Sequence, residues 1–274
     1  MIKSKGSINI IIVIFLFYSL GSVLLHLLFP NKDSNLYNYF TDSYGIIAGI
    51  GGYLGYRIAD KWGGLNSKVG RAVIAFSLGL VFQFLGQLSY SYYRYVSGIE
   101  VPYPSFGDLF YLLSIPTYIY ASWLIIVMSG AKVKFMEVKY KFLSLIVVAI
   151  SLTIAYYLIL SSHDFSNSDL ILVALELGYP VGQAIFLSFS LIALILSRSI
   201  LGGLMKPVIN SVLFALVFQY IADMYFTYEV LNESLYAGGL SDYIYIVAYT
   251  LMAVAIYEFG EVPARVGTNK QLKG

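Results

Sequence analysis

Two carboxylic acids sit inside long apolar stretches of this 274-residue chain. Glu176 lies seven residues into the stretch 169–197, and Asp223 lies seven residues before the end of the stretch 207–230. At ~1.5 Å of helix rise per residue, each is about 10 Å from the nearer end. An Asp at the centre of a membrane helix costs ~2.5–3.5 kcal/mol on insertion scales. Acids at such depth therefore mark ligand contacts, proton or ion relays, or hydrogen bonds between helices. Helical spacing supplies them with companions. Gln219 and Asp223 are four residues apart and share a face, as do Gln83 and Gln87, while Glu176, Tyr179, Pro180 and Gln183 form one stripe. Pro180 and Pro116 each remove a backbone hydrogen bond and free a carbonyl deep in an apolar run. The expectation is a polar pocket whose ligand-binding side chains are Glu176, Asp223, Gln87, Gln183, Gln219 and Tyr179. Inter-helix glue and an ion or proton relay are the other two uses these residue types allow.

Other chemistries lack their residues. There is no HExxH, no GxSxG and no glycine-rich phosphate loop. Two histidines, His26 and His163, are too few for haem ligation or a metal triad, and the absence of cysteine removes thiolate chemistry. No span holds a lysine near its centre, which excludes a retinal Schiff base. SFGD at 105–108 lacks the first glycine of the GxGD of membrane aspartyl proteases. The reading is therefore of no enzyme, no cofactor and no metal.

The elements that must position these groups are helices in a bilayer. The chain is 59% hydrophobic and 12% charged, with a mean hydropathy of +0.76, against about 25% charged in soluble domains. A net charge of +2 offers no face for nucleic acid. Eight apolar runs are visible, at about 8–29, 44–60, 72–93, 108–130, 142–161, 169–197, 207–230 and 242–260. Alternate connections hold fifteen of the 17 basic residues, Lys132, Lys134, Lys139 and Lys141 among them. That asymmetry orients both termini to the cytoplasm and places the chain in the cell membrane as a multi-pass protein. No cleavage site follows the first run, so a removable signal peptide is not expected. Residues 1–274 read as a single transmembrane domain with a short cytoplasmic tail at 261–274.

The fold class is all-α: a polytopic transmembrane bundle of eight helices in four repeated hairpins, at about 8–60, 72–130, 142–197 and 207–260, N-in and C-in. The repeat is clearest where LVFQFLGQLSYSYY (80–93) aligns with LVFQYIADMYFTYE (216–229) and FGDLFYLL (106–113) with LSDYIYIV (240–247). Gln83 then pairs with Gln219, Gln87 with Asp223, Asp108 with Asp242 and Tyr111 with Tyr245. Asp42 and Asp169 stand at the same point of the other two hairpins, and all four Asp residues read as caps in a first helical turn. A ring of acids guarding an outer mouth is the alternative. Tyrosines crowd the outer boundary, from Tyr37, Tyr39, Tyr44 and Tyr90 to Tyr103 and Tyr236, and read as an aromatic belt with a few lining a cavity. Gly45, Gly49, Gly51, Gly52 and Gly55 give the second run a close-packing face.

At 104–116 the chain reads PSFGDLFYLLSIP: Pro104-Ser105, Asp108, Tyr111-Leu112 and Pro116. Tyr179-Pro180 follows with Gln183 three residues on, then an Ala222-Asp223 step, a loop with Tyr236 and Gly238, and Asp242 with Tyr245 at a helix start. In this order the motifs resemble those of the multi-span N-terminal membrane sensor regions of bacterial diguanylate cyclases, phosphodiesterases and some histidine kinases, over about residues 70–257. Gln183 stands where that family usually has Asp. The resemblance implies a membrane input module, here without an output domain after Glu261. On this reading the chain is a receptor-like sensory module that binds a small molecule in the outer half of the bilayer. It signals through a cytoplasmic or membrane partner that touches Lys132, Lys134, Lys139 and Lys141. A structural subunit of a membrane complex and a small-solute or ion transporter are the alternatives.

Overall fold

The computed structural model describes residues 4–29, 31–32, 34–128, 136–157, 170–200 and 205–271. Among these the secondary structure is helical, because a backbone surrounded by hydrocarbon must satisfy its own N–H and C=O groups. The helices are α1 (Ser4–Leu28), α2 (Asn35–Ser43), α3 (Ile46–Lys61), α4 (Lys68–Ser91), α5 (Phe106–Met128), α6 (Val138–Ala155), α7 (Leu170–Ile200), α8 (Met205–Leu231) and α9 (Leu240–Gln271). Eight of the nine are long, and seven are long and apolar enough to cross a membrane. The chain is therefore a multi-pass membrane protein.

Six helices close into a ring. Going round it, α3 packs on α4, α4 on α5, α5 on α7, α7 on α8, α8 on α9, and α9 back on α3. The other two long helices lie outside this ring, α1 against α9 and α6 against α7. Their most apolar stretches are correspondingly the least buried, at 17% and 11%.

The structure differs from expectation in three places. The second apolar run, expected to span at 44–60, is α3, which at 16 residues is not among the seven candidate spans. The preceding segment, expected as a loop, contains α2. Its sequence, NLYNYFTDS, has no long apolar run, and the helix is held instead by Tyr37, whose hydroxyl donates to Phe29 O (2.8 Å) at the end of α1. Tyr44 and Gly45 between α2 and α3 keep right-handed helical backbone, so the two read as one bent helix. Asp42 consequently falls in the last turn of α2 and caps no helix start, and Asp169 lies outside the described residues. Third, residues 261–271 of the expected tail continue α9 through Pro263.

The glycine face of α3 is used inside the bundle. A Cβ on Gly52 would stand 2.7 Å from Val81 of α4, and one on Gly51 2.9 Å from Ala253 of α9. Small residues let these backbones approach closely. Contacts at both ends hold α3 along α9: Tyr44 donates to Asp242 (3.0 Å), and Trp62 Nε1 donates to Phe259 O (2.9 Å). The half of the ring near Phe259 is filled with apolar side chains, including Phe76, Ile125, Val212, Leu213 and Ile256, all fully buried. The other half is where the polar residues gather.

Candidate ligand cavity

The hollow half of the ring is bounded by the last turns of α4 and α8, the first turns of α5 and α9 and the bend between α2 and α3, with the first half of α7 completing the wall. It encloses a cavity of about 500 Å³, within the ~300–1,000 Å³ usual for small-molecule sites. Exposed Tyr103 and Val230 stand at one end, and buried Gln83, Gln183 and Tyr249 line its depth.

Of the side chains expected in the pocket, Gln87, Gln183, Asp223 and Tyr179 line this cavity. Gln219 is buried one turn behind Asp223 and donates to its Oδ1 (3.0 Å). Glu176 lies on α7, but its side chain falls outside the described residues. Asp223 Oδ1 accepts a second bond from the Tyr245 hydroxyl (2.9 Å), and Gln183 also hydrogen-bonds the carboxylate. Gln183 itself is 4% exposed, and its Oε1 has no hydrogen-bond partner. A buried amide oxygen left open in a hollow is an acceptor waiting for a donor.

Several wall residues were not foreseen. Gln83 donates to Ser114 (2.9 Å) and accepts from Tyr249 (3.0 Å), while Gln87 donates to Thr41 O (2.9 Å) and accepts from Tyr111 (3.3 Å). The residues aligned between the two hairpins thus make the same contact: Tyr111 to Gln87 in one, Tyr245 to Asp223 in the other. Seven tyrosines line the cavity: Tyr44, Tyr90, Tyr103, Tyr111, Tyr179, Tyr245 and Tyr249. Tyr44 and Tyr90 are among the few that line a cavity instead of the belt: Tyr44 is 3% exposed and Tyr90 donates to Asp108 Oδ1 (3.0 Å). Tyr39 and Tyr92 are exposed, as belt residues would be. For Tyr111 and Tyr245 the repeat carried a signal, since it pairs them and each follows an Asp of the same wall by three residues, Asp108 and Asp242.

Asp108 and Asp242 both stand in first helical turns. Ser105 and Asp108 form a reciprocal cap, with Ser105 N and Oγ donating to Asp108 Oδ2 (2.7 and 2.6 Å) and Asp108 N donating to Ser105 Oγ (3.3 Å). Asp242 accepts from Gly238 N (2.6 Å), Thr41 (2.6 Å) and Tyr44 (3.0 Å), which ties α9 to the end of α2 and to the bend that follows it. Nearby, Asp42 pairs with Arg94 at 2.6 Å. Burial holds the Asp42 carboxyl above the usual carboxylate range, against the opposite pull of Tyr95 and Arg94.

Of the basic residues expected to meet a partner, Lys139 and Lys141 are exposed at the start of α6, with Lys139 3.2 Å from Glu137. Lys132 and Lys134 lie outside the described residues. Fold and cavity together define a multi-pass membrane helical bundle with a polar, tyrosine-walled hollow at one end. No family model, curated protein or solved structure matches the chain.

Proposed function

We propose that the chain is a receptor-like sensory module of the cell membrane. It takes a small molecule into the cavity from the outer face and passes the signal through the helical ring to a separate partner on the basic inner face. The observation that carries this is the cavity: about 500 Å³, lined by aromatic rings and a few convergent polar groups. Its blind inner end favours binding over passage, because the other half of the ring is packed with Phe76, Ile125, Leu213 and Ile256. The glycine face of α3, which a complex subunit would need for docking, is already covered by α4 and α9.

The likeness to bacterial sensor regions supports the same reading. Asp108, Tyr111, Tyr179, Pro180, Gln183, Asp223, Asp242 and Tyr245, all drawn from those motifs, line this one hollow. Native mass spectrometry of the protein, gently extracted from its own membrane, tests the proposal beside Asp223→Asn. A small molecule bound to the native protein and lost from the variant is the expected result. A retained protein partner with no small molecule would move the reading to a structural subunit, with Asp223 as inter-helix glue.

A further inference from the structure

We infer that the ligand of this cavity is a small organic cation, a protonated amine or a quaternary ammonium group held among tyrosine rings beside Asp223. This rests on the reading of the cavity as a ligand site and adds the chemistry of what enters it. Three carboxylates, Asp108, Asp223 and Asp242, line the hollow, and among its described lining residues there is no Lys, Arg or His. The cations at this end are engaged elsewhere: Arg94 on Asp42 at 2.6 Å, and Lys32 over the Tyr236 ring at 3.8 Å. Buried carboxylates without counter-charge are costly, and a cationic ligand supplies what the protein does not.

The wall suits an organic cation. Tyrosine rings present negative faces, and clusters of them recognise ammonium groups. Asp108 and Asp242 each already hold three donors from the protein. On Asp223 the bonds from Gln219 and Tyr245 both fall on Oδ1, and Gln183 is the third protein group on that carboxylate. The open Oε1 of Gln183 adds a neutral acceptor. A bare metal ion fits poorly, since among the described residues no three His, Asp or Glu side chains converge to hold one.

Calorimetric titration of the full purified chain with three molecules of one shape tests the charge. They are choline, its neutral carbon isostere 3,3-dimethylbutan-1-ol, and the anion 3,3-dimethylbutanoate. Choline should bind saturably and at least about tenfold more tightly than the alcohol, and the anion should not bind. Asp223→Asn should remove that tenfold preference, whereas Asp60→Asn, which removes an exposed carboxylate at the end of α3 away from the cavity, should preserve it. Gln183→Leu gives an independent reading and should weaken choline more than the alcohol. Equal binding of alcohol and choline, or a preference that survives Asp223→Asn, overturns the cation and leaves the cavity a ligand site. Binding of none of the three overturns the inference too, and the mass-spectrometric comparison then decides the cavity reading separately.

Discussion

Asp108 and Asp242 begin as equivalent residues and end with different duties. Each sits in the first turn of a helix where its carboxylate meets unpaired N–H groups. Asp108 completes that task locally, within the span from Ser105, and its other oxygen accepts from Tyr90 on the preceding helix α4. Asp242 reaches in addition to Thr41, 201 positions away in the chain, and to Tyr44. Replacing it strands buried donors, so Asp242→Ala should lower unfolding stability in detergent by about 3 kcal/mol. Ser105→Ala, which removes only a cap, should cost about 1 kcal/mol. Similar losses from both would mean that Asp242 is no more than a cap. The S-x-x-D cap at 105–108 was legible because all its parts lie within four residues. The tie to Thr41 was not, because nothing in the order of residues says which helix start will face which bend. The depth of Asp223 was legible from its distance along an apolar run, and its Gln219 partner from helical spacing. Its bonds to Tyr245 and Gln183 needed the ring.

Helix α3 shows what a short element can do when its neighbours come close. The Cβ position of Gly55 runs into Ser77 Oγ and lies 2.9 Å from Ile256, whereas that of Gly178 on α7 meets nothing nearer than 3.6 Å. Gly55→Ala should therefore destabilise the bundle by about 1–3 kcal/mol through overpacking. Gly178→Ala should be tolerated, and thermal unfolding of the two variants side by side checks the difference. If both are tolerated, α3 does not pack as tightly as its glycines imply. The starts of the long helices were legible to within about four residues because hydrocarbon demands long apolar runs, whereas the end of α9 was not, since it runs on through the polar residues to Gln271. The bend was not: α2 is polar and aromatic, and it exists because Tyr37 seats on the end of α1. The tyrosines divide for the same reason. Tyr37 and Tyr39 are near neighbours of one type, yet the first is 1% exposed and the second 56%, and only the packing of α1 distinguishes them.

At the scale of the whole molecule, the two ends of the ring differ, one hollow and lined with carboxylates, the other solid and apolar. Whether α3 crosses the membrane decides how that polarity is oriented, because α3 is not among the seven candidate spans. Its contacts argue that it does. It starts beside Asp242, near the beginning of α9, and ends at Trp62 against Phe259, so it runs beside about 17 residues of a helix that is itself long enough to span. Cysteines at three exposed positions test this: Asn35 at the head of α2, Asn66 after α3, and Ser234 between α8 and α9. Asn66 is preferable to its neighbour Ser67, whose hydroxyl caps α4 through Gly70 N (2.8 Å). The hydrogen bonds of Thr41 to Asp242 and of Gly238 N to Thr41 place α2 with the loop that carries Ser234. Cysteines at 35 and 234 should therefore react with a membrane-impermeant maleimide on intact cells, and the one at 66 only after permeabilisation, as the basic residues around Arg57, Lys61, Lys68 and Arg71 require. The inverse pattern would turn the cavity to the cytoplasm. Joint labelling of 35 and 66, opposite to 234, would mean that α3 does not cross, and would break the contact between α2 and α9 on which the cavity wall depends.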